Sequence, residues 1–170
     1  MALNTTYAYS TIRSEFLVNS NATGNTKSFS NVIELAGGGF AVTYNVENGA
    51  NDVPYVNIYN TVTGAVSPLF LPYDVSVSNM IGEPVIAQLT TNGHVVVVWK
   101  EGSGGSNFIV RTTFDPATGT AIGPREVVAS NFPGDTDPEI TALSSADGGG
   151  YVCVRVGLQQ CSRRSICRFL

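Results

Sequence analysis

The chain has 170 residues, of which 43% are hydrophobic and only 13% are charged, and its formal net charge is −4. This composition excludes a disordered chain and supplies enough apolar residues for a sizeable core. Lysine occurs only at positions 27 and 100, so no basic surface is expected and nucleic acid is not an expected partner. The aliphatic runs are far shorter than the roughly 20 residues that span a bilayer, so no membrane insertion is expected.

The N-terminal segment is not expected to be a signal peptide as written, and a stretch of turn formers follows it. Residues 1–14 show no clear periodicity and are predicted to form a lead-in arm, without the basic and apolar segments of a signal peptide. Residues 15–19 are predicted to form a short strand, and residues 20–25 a loop. Asn4 and Asn21 each begin an Asn-x-Ser/Thr triplet and are candidate glycosylation sites, although roughly two or three such triplets are expected by chance in a chain this rich in Asn, Ser and Thr.

A unit of about 55 residues recurs along the chain, and its clearest copy is the stretch 84–119. Shifted back by one repeat, FDPATG at 114–119 falls on YNTVTG at 59–64, and Trp99 falls on Tyr44. Shifted forward by one repeat, PVIAQL at 84–89 falls on PEITAL at 138–143. Such a period, built from short strands and turns, is typical of propellers and other repeat arrays. The predicted repeat domain spans 15–157, and its units are approximately 15–66, 67–122 and 123–170.

Each unit is predicted to hold four strands and no helix. In the first unit the predicted strands are 32–35, 40–44, 55–59 and about 68–71; in the second they are 85–89, 95–99, 108–114 and 126–129. The strand at 95–99, VVVVW, is continuously apolar, which predicts burial on both faces. The strand at 108–114 alternates between two faces, which predicts that it is half exposed.

The predicted turns have residues suited to their backbone. Glycine clusters at 37–39, 92–93 and 148–150 are predicted to connect the first and second strands of each unit. In DPATG at 115–119, the aspartate is expected to cap the turn, the proline to fix φ, and the glycine to adopt the left-handed conformation.

The composition changes from Arg155 onward. Two of the three cysteines lie in the tail 158–170, which is either foreign to the repeat or completes the third unit, since Phe169 lies one repeat after Phe114. A bridge between Cys161 and Cys167 is one interpretation of the cysteines. A buried Cys153 with two incidental thiols is the other.

Several of these motifs together resemble a known repeat. They are EFLVN at 15–19, Pro84-x-Ile86-x-x-Leu89, NGHVVVVW at 92–99 and FDPATG at 114–119. The sequence resembles the propeller-like repeats of about fifty residues that occur in tandem within large secreted or surface proteins of bacteria, over about residues 12–157. The resemblance implies an all-β fold of three four-stranded blade units, as an incomplete propeller or open array, and an extracellular or cell-surface location. It implies an adhesive or structural role without catalytic residues.

The function predicted from the sequence is therefore non-enzymatic adhesion or self-assembly. Three units cannot close a ring, so the chain is expected to associate with itself, for example by strand 16–18 of one molecule completing the third blade of the next. Head-to-tail contacts of that kind give a six-bladed dimer or a filament. A carbohydrate-binding, lectin-like propeller is the alternative, and a glycosidase is a weaker one.

Four residues are candidate ligand contacts. Tyr44 and Trp99 end equivalent strands and could stack against glycan rings, with core packing as the commoner explanation for such aromatics. Asp135 and Asp137 could offer carboxylates to calcium, with turn capping as the alternative. No other cofactor is expected.

Overall fold

The structure is a computed structural model that describes residues 27–48, 51–59, 66–70, 82–103, 106–130, 137–155 and 165–169. These residues form antiparallel strands and one 3-10 turn, Ser145–Asp147, so the all-β prediction is confirmed. The predicted arm 1–14 and the predicted strand 15–19 lie outside the described residues. Within the described residues, no helix is long and apolar enough to cross a membrane.

The described strands form three sheets, each made of segments that are consecutive in sequence. The first sheet has the order β1-β2-β3-β4, with strands Lys27–Glu34, Phe40–Asn48, Asn51–Tyr59 and Val66–Phe70. The second has the order β5-β6-β7-β8, with strands Val85–Gln88, Val95–Ser103, Ser106–Asp115 and Thr120–Ala121, and β9 (Glu126–Ser130) also pairs with β7. The third has the order β10-β11-β12, with strands Pro138–Ala142, Tyr151–Arg155 and Ser165–Phe169.

The ladders of the first two sheets repeat with the period seen in the sequence. Moving both members of the pair Phe40↔Tyr59 forward by one repeat gives Val95↔Phe114, and the same shift maps every other pair of the β2–β3 ladder onto the β6–β7 ladder. Both ladders run further than predicted, to the pairs Asn48↔Asn51 and Ser103↔Ser106, because antiparallel pairing continues through mostly polar residues of low strand propensity.

In all three sheets the same kind of hydrogen bond closes the turn after the first strand, although the turns differ in length. A leucine follows that strand, and its backbone N–H donates to the carbonyl of the residue just before the second strand. The three bonds are Leu35 to Gly39 at 3.1 Å, Leu89 to His94 at 2.8 Å, and Leu143 to Gly150 at 3.0 Å. The glycines expected in these turns have a positive φ at every position except Gly37, for example 73° at Gly93.

The second sheet lies between the other two, and β6 is its buried centre. Val95, Val97 and Trp99 pack against the first sheet. Val96 and Val98 face the opposite way and pack with residues of the third sheet. All five side chains are 0% exposed, so the predicted burial of this strand on both faces is confirmed.

The neighbouring strand β7 is more buried than its alternating sequence predicts. Val110 and Phe114 face the first sheet and are fully buried, as one face of the alternation requires. Ile109, on the other face, is only 2% exposed because it packs in a cluster that includes Tyr151 and Cys153 of the third sheet. The expectation of a half-exposed strand was therefore wrong at this position, because a sequence pattern within one sheet does not reveal the sheet that covers it.

The first strands of the three sheets lie side by side around a shared groove. This groove has a volume of about 470 Å³ and is lined by residues of β1, β5 and β10 together with Ala36. The turns above it are also joined, since the Thr90 hydroxyl donates to the carbonyl of Leu143 at 2.6 Å. A Cβ added to Gly149 would lie 2.1 Å from Thr91 Cγ2, so glycine is required there for the turns to approach. No closed propeller is found among the described strands.

Candidate functional site

A cleft of about 480 Å³ lies where the turns of the first and second sheets meet. Its walls come from the turn after β1, the turn after β5, the end of β3, and the turn that follows β7. Glycine backbone and the largely apolar side chains of Leu35, Ile58 and Tyr59 form part of its lining. The polar part consists of Gln88, Asn92, His94 and Asp115. A cleft with apolar surface and a few polar groups is the usual composition of a small-molecule site.

Gln88 holds the two sides of the cleft together. Its Oε1 accepts a hydrogen bond from the backbone N–H of Ala36 at 2.7 Å, and its Nε2 donates to the carbonyl of Gly93, also at 2.7 Å. One side chain thereby connects the turn of the first sheet to the turn of the second. At the corresponding positions, directly before the leucines of the other sheets, stand Glu34 and Ala142. The amide bridge is thus particular to this pair of turns.

The turn that carries His94 is fixed by Asn92. Asn92 Oδ1 accepts from the backbone N–H of His94 at 3.0 Å, and the backbone N–H of Gly93 donates to the carbonyl of Leu89 at 3.0 Å. The half-buried His94 imidazole makes no hydrogen bond to the described part of the chain. The ring nitrogens can therefore serve a ligand as donor and acceptor.

Asp115 supplies the carboxylate of the cleft and caps its own turn, as predicted. Its Oδ1 accepts from the backbone N–H of Ala117 at 2.8 Å, and its carbonyl accepts from Gly119 at 2.8 Å. Gly119 has φ 70°, the left-handed conformation that the sequence predicts. Oδ2 makes no hydrogen bond within the described residues, so it is available as an acceptor.

Tyr44 and Trp99, the predicted stacking residues, lie away from this cleft and are buried. Trp99 is 0% exposed, and its Nε1 donates to Glu101 Oε1 at 3.0 Å. Tyr44 is 4% exposed and stacks on Tyr55, with 5.9 Å between ring centroids. Burial, together with Tyr55, raises the pKa of the Tyr44 hydroxyl, which donates to Asn57 at 3.2 Å. Neither ring offers a free face for a sugar, so the geometry favours the core-packing alternative.

Glu101 and Arg125 form an ion pair that sequence reasoning missed. Glu101 is 2% exposed, and Arg125 Nε donates to its Oε1 at 2.8 Å while Nη2 contacts Oε2. With the bond from Trp99, the carboxylate accepts from three donors. These three hydrogen bonds account for a charged side chain at a buried position of β6. The available sign was a glutamate two residues after the apolar run 95–99, but nothing in the sequence identifies its partner 24 positions away.

Of the two predicted calcium residues, the structure describes Asp137 but not Asp135. Asp135 lies outside the described residues, whereas Asp137 is exposed just before β10. Burial raises the pKa of the Glu83 carboxyl, and the charges of Asp137 and Glu139 raise it further. Within the described ranges, no group of three or more His, Cys, Asp or Glu side chains is placed to hold a metal ion. Turn capping stays the alternative for Asp135.

Asn4 and Asn21, the candidate glycosylation sites, also lie outside the described residues. No family model matches this chain, and no curated protein sequence matches it.

Proposed function

We propose that the chain is a propeller-type repeat module that works outside the cell by binding and self-assembly rather than by catalysis. The observation that carries this proposal is the repeated sheet. Three meanders of equivalent register stack face to face, and the middle one is covered on both faces. A sheet in such a stack is stabilised by a neighbour on each side, which makes the two outer faces of the stack natural contact surfaces.

The outer face of the third sheet is one of these surfaces. Tyr151 and Cys153 pack towards the second sheet, so alternation along the strands places Glu139, Thr141 and Val152 on the other face. Val152 is the second residue of its strand and corresponds to Val96, which is fully buried by the next sheet. No described sheet covers Val152.

The exposed part of the first sheet's outer face, around Val32, is the other surface; farther along the same face, Tyr44 and Val46 are already buried. Val32 is 63% exposed there and pairs with the half-buried Val42. Val42 corresponds to Val97 of the second sheet, which is fully buried against its neighbour. Contact between the outer face of one molecule's first sheet and another molecule's third sheet would therefore reproduce the packing found within the chain. We propose a second copy as the occupant, which makes the contact head to tail.

Light scattering across micromolar to millimolar concentrations tests this assembly. We expect an average mass above the 17.9 kDa of one chain, rising with concentration. Val152→Arg is expected to return the mass to that of a monomer, because it places a charge in an apolar contact. Val127→Arg is the matched control, since it makes the same change at a 52% exposed valine of the second sheet. The proposal is contradicted if the wild-type chain is a monomer at every concentration, or if both variants lose assembly to the same extent.

The cleft favours a second candidate function, binding of small hydroxylated ligands such as sugars. Its available groups are His94, the Asn92 amide and one oxygen of Asp115, set beside the apolar surface of Leu35 and Ile58. Sugar hydroxyls both donate and accept hydrogen bonds, which suits this mixture, and sugar rings also have apolar faces. The Asp115 carboxylate disfavours anionic ligands. This site replaces Tyr44 and Trp99 as the basis of the lectin alternative.

Nuclear magnetic resonance titration with methyl glycosides of common hexoses tests the cleft. We expect shifts of backbone amides near Gly37, Gly93 and His94, with affinity lowered about five- to tenfold by His94→Ala or Asp115→Asn, as for loss of about 1 kcal/mol of hydrogen bonding. Asp147→Asn is the matched control, because the Asp147 carboxylate also lies in a turn, between β10 and β11, where it accepts from the Ser144 hydroxyl, and it does not line the cleft. Shifts that map to the groove between the first strands, or none with any glycoside, rule out this site.

A further inference from the structure

The third sheet places two cysteines directly opposite one another. In the β11–β12 ladder, Cys153 is the register partner of Cys167, between the pairs Val152↔Arg168 and Val154↔Ile166. Residues directly opposed in an antiparallel pair share a face, and their Cα atoms lie about 4.5 to 5.5 Å apart. That range lies within the roughly 4.4 to 6.8 Å that disulfides span. The backbone therefore meets the geometric requirement for a bridge without rearrangement.

We propose that Cys153 and Cys167 form a cross-strand disulfide that fastens β12 to β11. The strand β12 lies at the end of the described sheet order, so its pairing with β11 is what holds residues 165–169 in the sheet. The bridge closes a loop over residues 154–166. Closing this loop restricts the unfolded chain, which stabilises the folded one. Outside reducing compartments, the strand is thereby covalently attached.

The oxidant is a small disulfide such as oxidised glutathione. A thiolate from one cysteine attacks it, forms a mixed disulfide and releases one glutathione thiolate. The thiolate of the second cysteine then attacks the protein sulfur, forms the Cys153–Cys167 bond and releases the second glutathione. The two protein thiols lose two protons and two electrons in total, and one glutathione disulfide becomes two thiols. Because Cys153 is 5% exposed, its reaction requires the edge strand to open briefly.

The register selects one of three pairings. The chain has three cysteines, and the bridge between Cys161 and Cys167 that the sequence suggests would close a shorter loop. Loop closure alone favours that shorter bridge in an unfolded chain. In the folded chain, the ladder holds Cys153 and Cys167 opposite each other. The proposal therefore predicts a pairing that depends on folding.

Disulfide mapping of the full chain tests this pairing. The folded protein is incubated in a glutathione redox buffer, alkylated and digested with trypsin without reduction. Cleavage after Arg155, Arg163, Arg164 and Arg168 places the three cysteines on three separate peptides. We expect a linked pair of the peptides ending at Arg155 and Arg168, and an alkylated Cys161. The same oxidation in guanidinium is expected to shift the products towards the shorter bridge.

Cysteine variants distinguish the effect of the Cys153–Cys167 bridge from other effects of oxidation. Cys161→Ser is expected to keep the Cys153–Cys167 link, and Cys153→Ser and Cys167→Ser are each expected to lose it. Oxidation should raise the melting temperature of Cys161→Ser by roughly 5–10 °C, the shift expected for closing a loop of this length. The double variant Cys153→Ser/Cys161→Ser should not respond. A predominant link to Cys161 in the folded chain, no intramolecular link after oxidation, or an unchanged melting temperature in linked Cys161→Ser overturns the proposal.

Discussion

Replacing Trp99 with alanine is expected to lower the free energy of unfolding by about 3–5 kcal/mol, the usual cost of truncating a large buried aromatic residue. Trp99 is 0% exposed and packs in the cluster that joins the first and second sheets. The truncation leaves a cavity at that junction. It also removes the Nε1 donor that lies 3.0 Å from Glu101 Oε1. Both losses occur in the same interior region, so the effect exceeds that of a typical surface change.

Urea denaturation followed by far-ultraviolet circular dichroism measures this effect. Tryptophan fluorescence cannot serve as the probe, because Trp99 is the only tryptophan in the chain. Val127→Ala is the control, since the 52% exposed Val127 should change stability by less than about 0.5 kcal/mol. Trp99→Phe retains most of the volume and removes the donor, so its effect should lie between the two. If the free energies of unfolding of Trp99→Ala and the control differ by less than about 1 kcal/mol, Trp99 does not stabilise the junction of the two sheets as proposed.

Trp99 also shows what a repeat can and cannot predict. The period correctly places Tyr44 and Trp99 at the same position of equivalent strands, because the β2–β3 and β6–β7 ladders coincide after a shift of one repeat. Equivalent positions do not show whether an aromatic side chain packs in the core or binds a ligand, since it suits both roles. The distinction depends on what lies opposite the strand. The first sheet lies opposite Trp99, and its residues Val56 and Ile58 belong to the same hydrophobic cluster as the tryptophan.

Local chemistry accounts for the parts of the fold that the sequence predicts well. The continuous apolar run at 95–99, rich in β-branched residues, is typical of a strand with two covered faces, and DPATG at 115–119 contains each residue that its turn requires. The strand ends are less well predicted. Near positions 48 and 51, polar residues of low strand propensity remain paired, because hairpin hydrogen bonds hold them in place.

The cleft is not predictable in the same way, because its polar residues do not repeat. His94 takes the place of Gly39 in the first sheet and of Gly150 in the third, and Gln88 takes the place of Glu34 and Ala142. Three turns contribute to the site, and their proximity follows from the packing of the sheets. A search for periodicity detects what the units share. It therefore passes over the residues that make one junction between units different from the others.

Removing Arg125 is expected to have the second large effect. Arg125→Met should lower the free energy of unfolding by about 2–4 kcal/mol, because it leaves a buried carboxylate without its ionic partner. The side chain of Glu101 is 3% exposed, whereas that of Arg125 is 31% exposed, so most of the effect comes from Glu101. Arg125 also attaches the segment before β9 to β6, so the variant should increase hydrogen exchange in β9. Urea denaturation and amide exchange measure the two effects.

The double variant Glu101→Val/Arg125→Met identifies the cause of that loss. In the first sheet, Val46 occupies the ladder position that corresponds to Glu101, since the pair Val46↔Val53 moves by one repeat onto Glu101↔Phe108. Val46 is 4% exposed, which shows that an apolar side chain suits this position in the repeat. The double variant should therefore regain at least half of the stability lost in Arg125→Met. If it regains nothing, the loss comes from the contacts of the arginine stem, and if Arg125→Met alone costs less than about 0.5 kcal/mol, solvent already screens the pair.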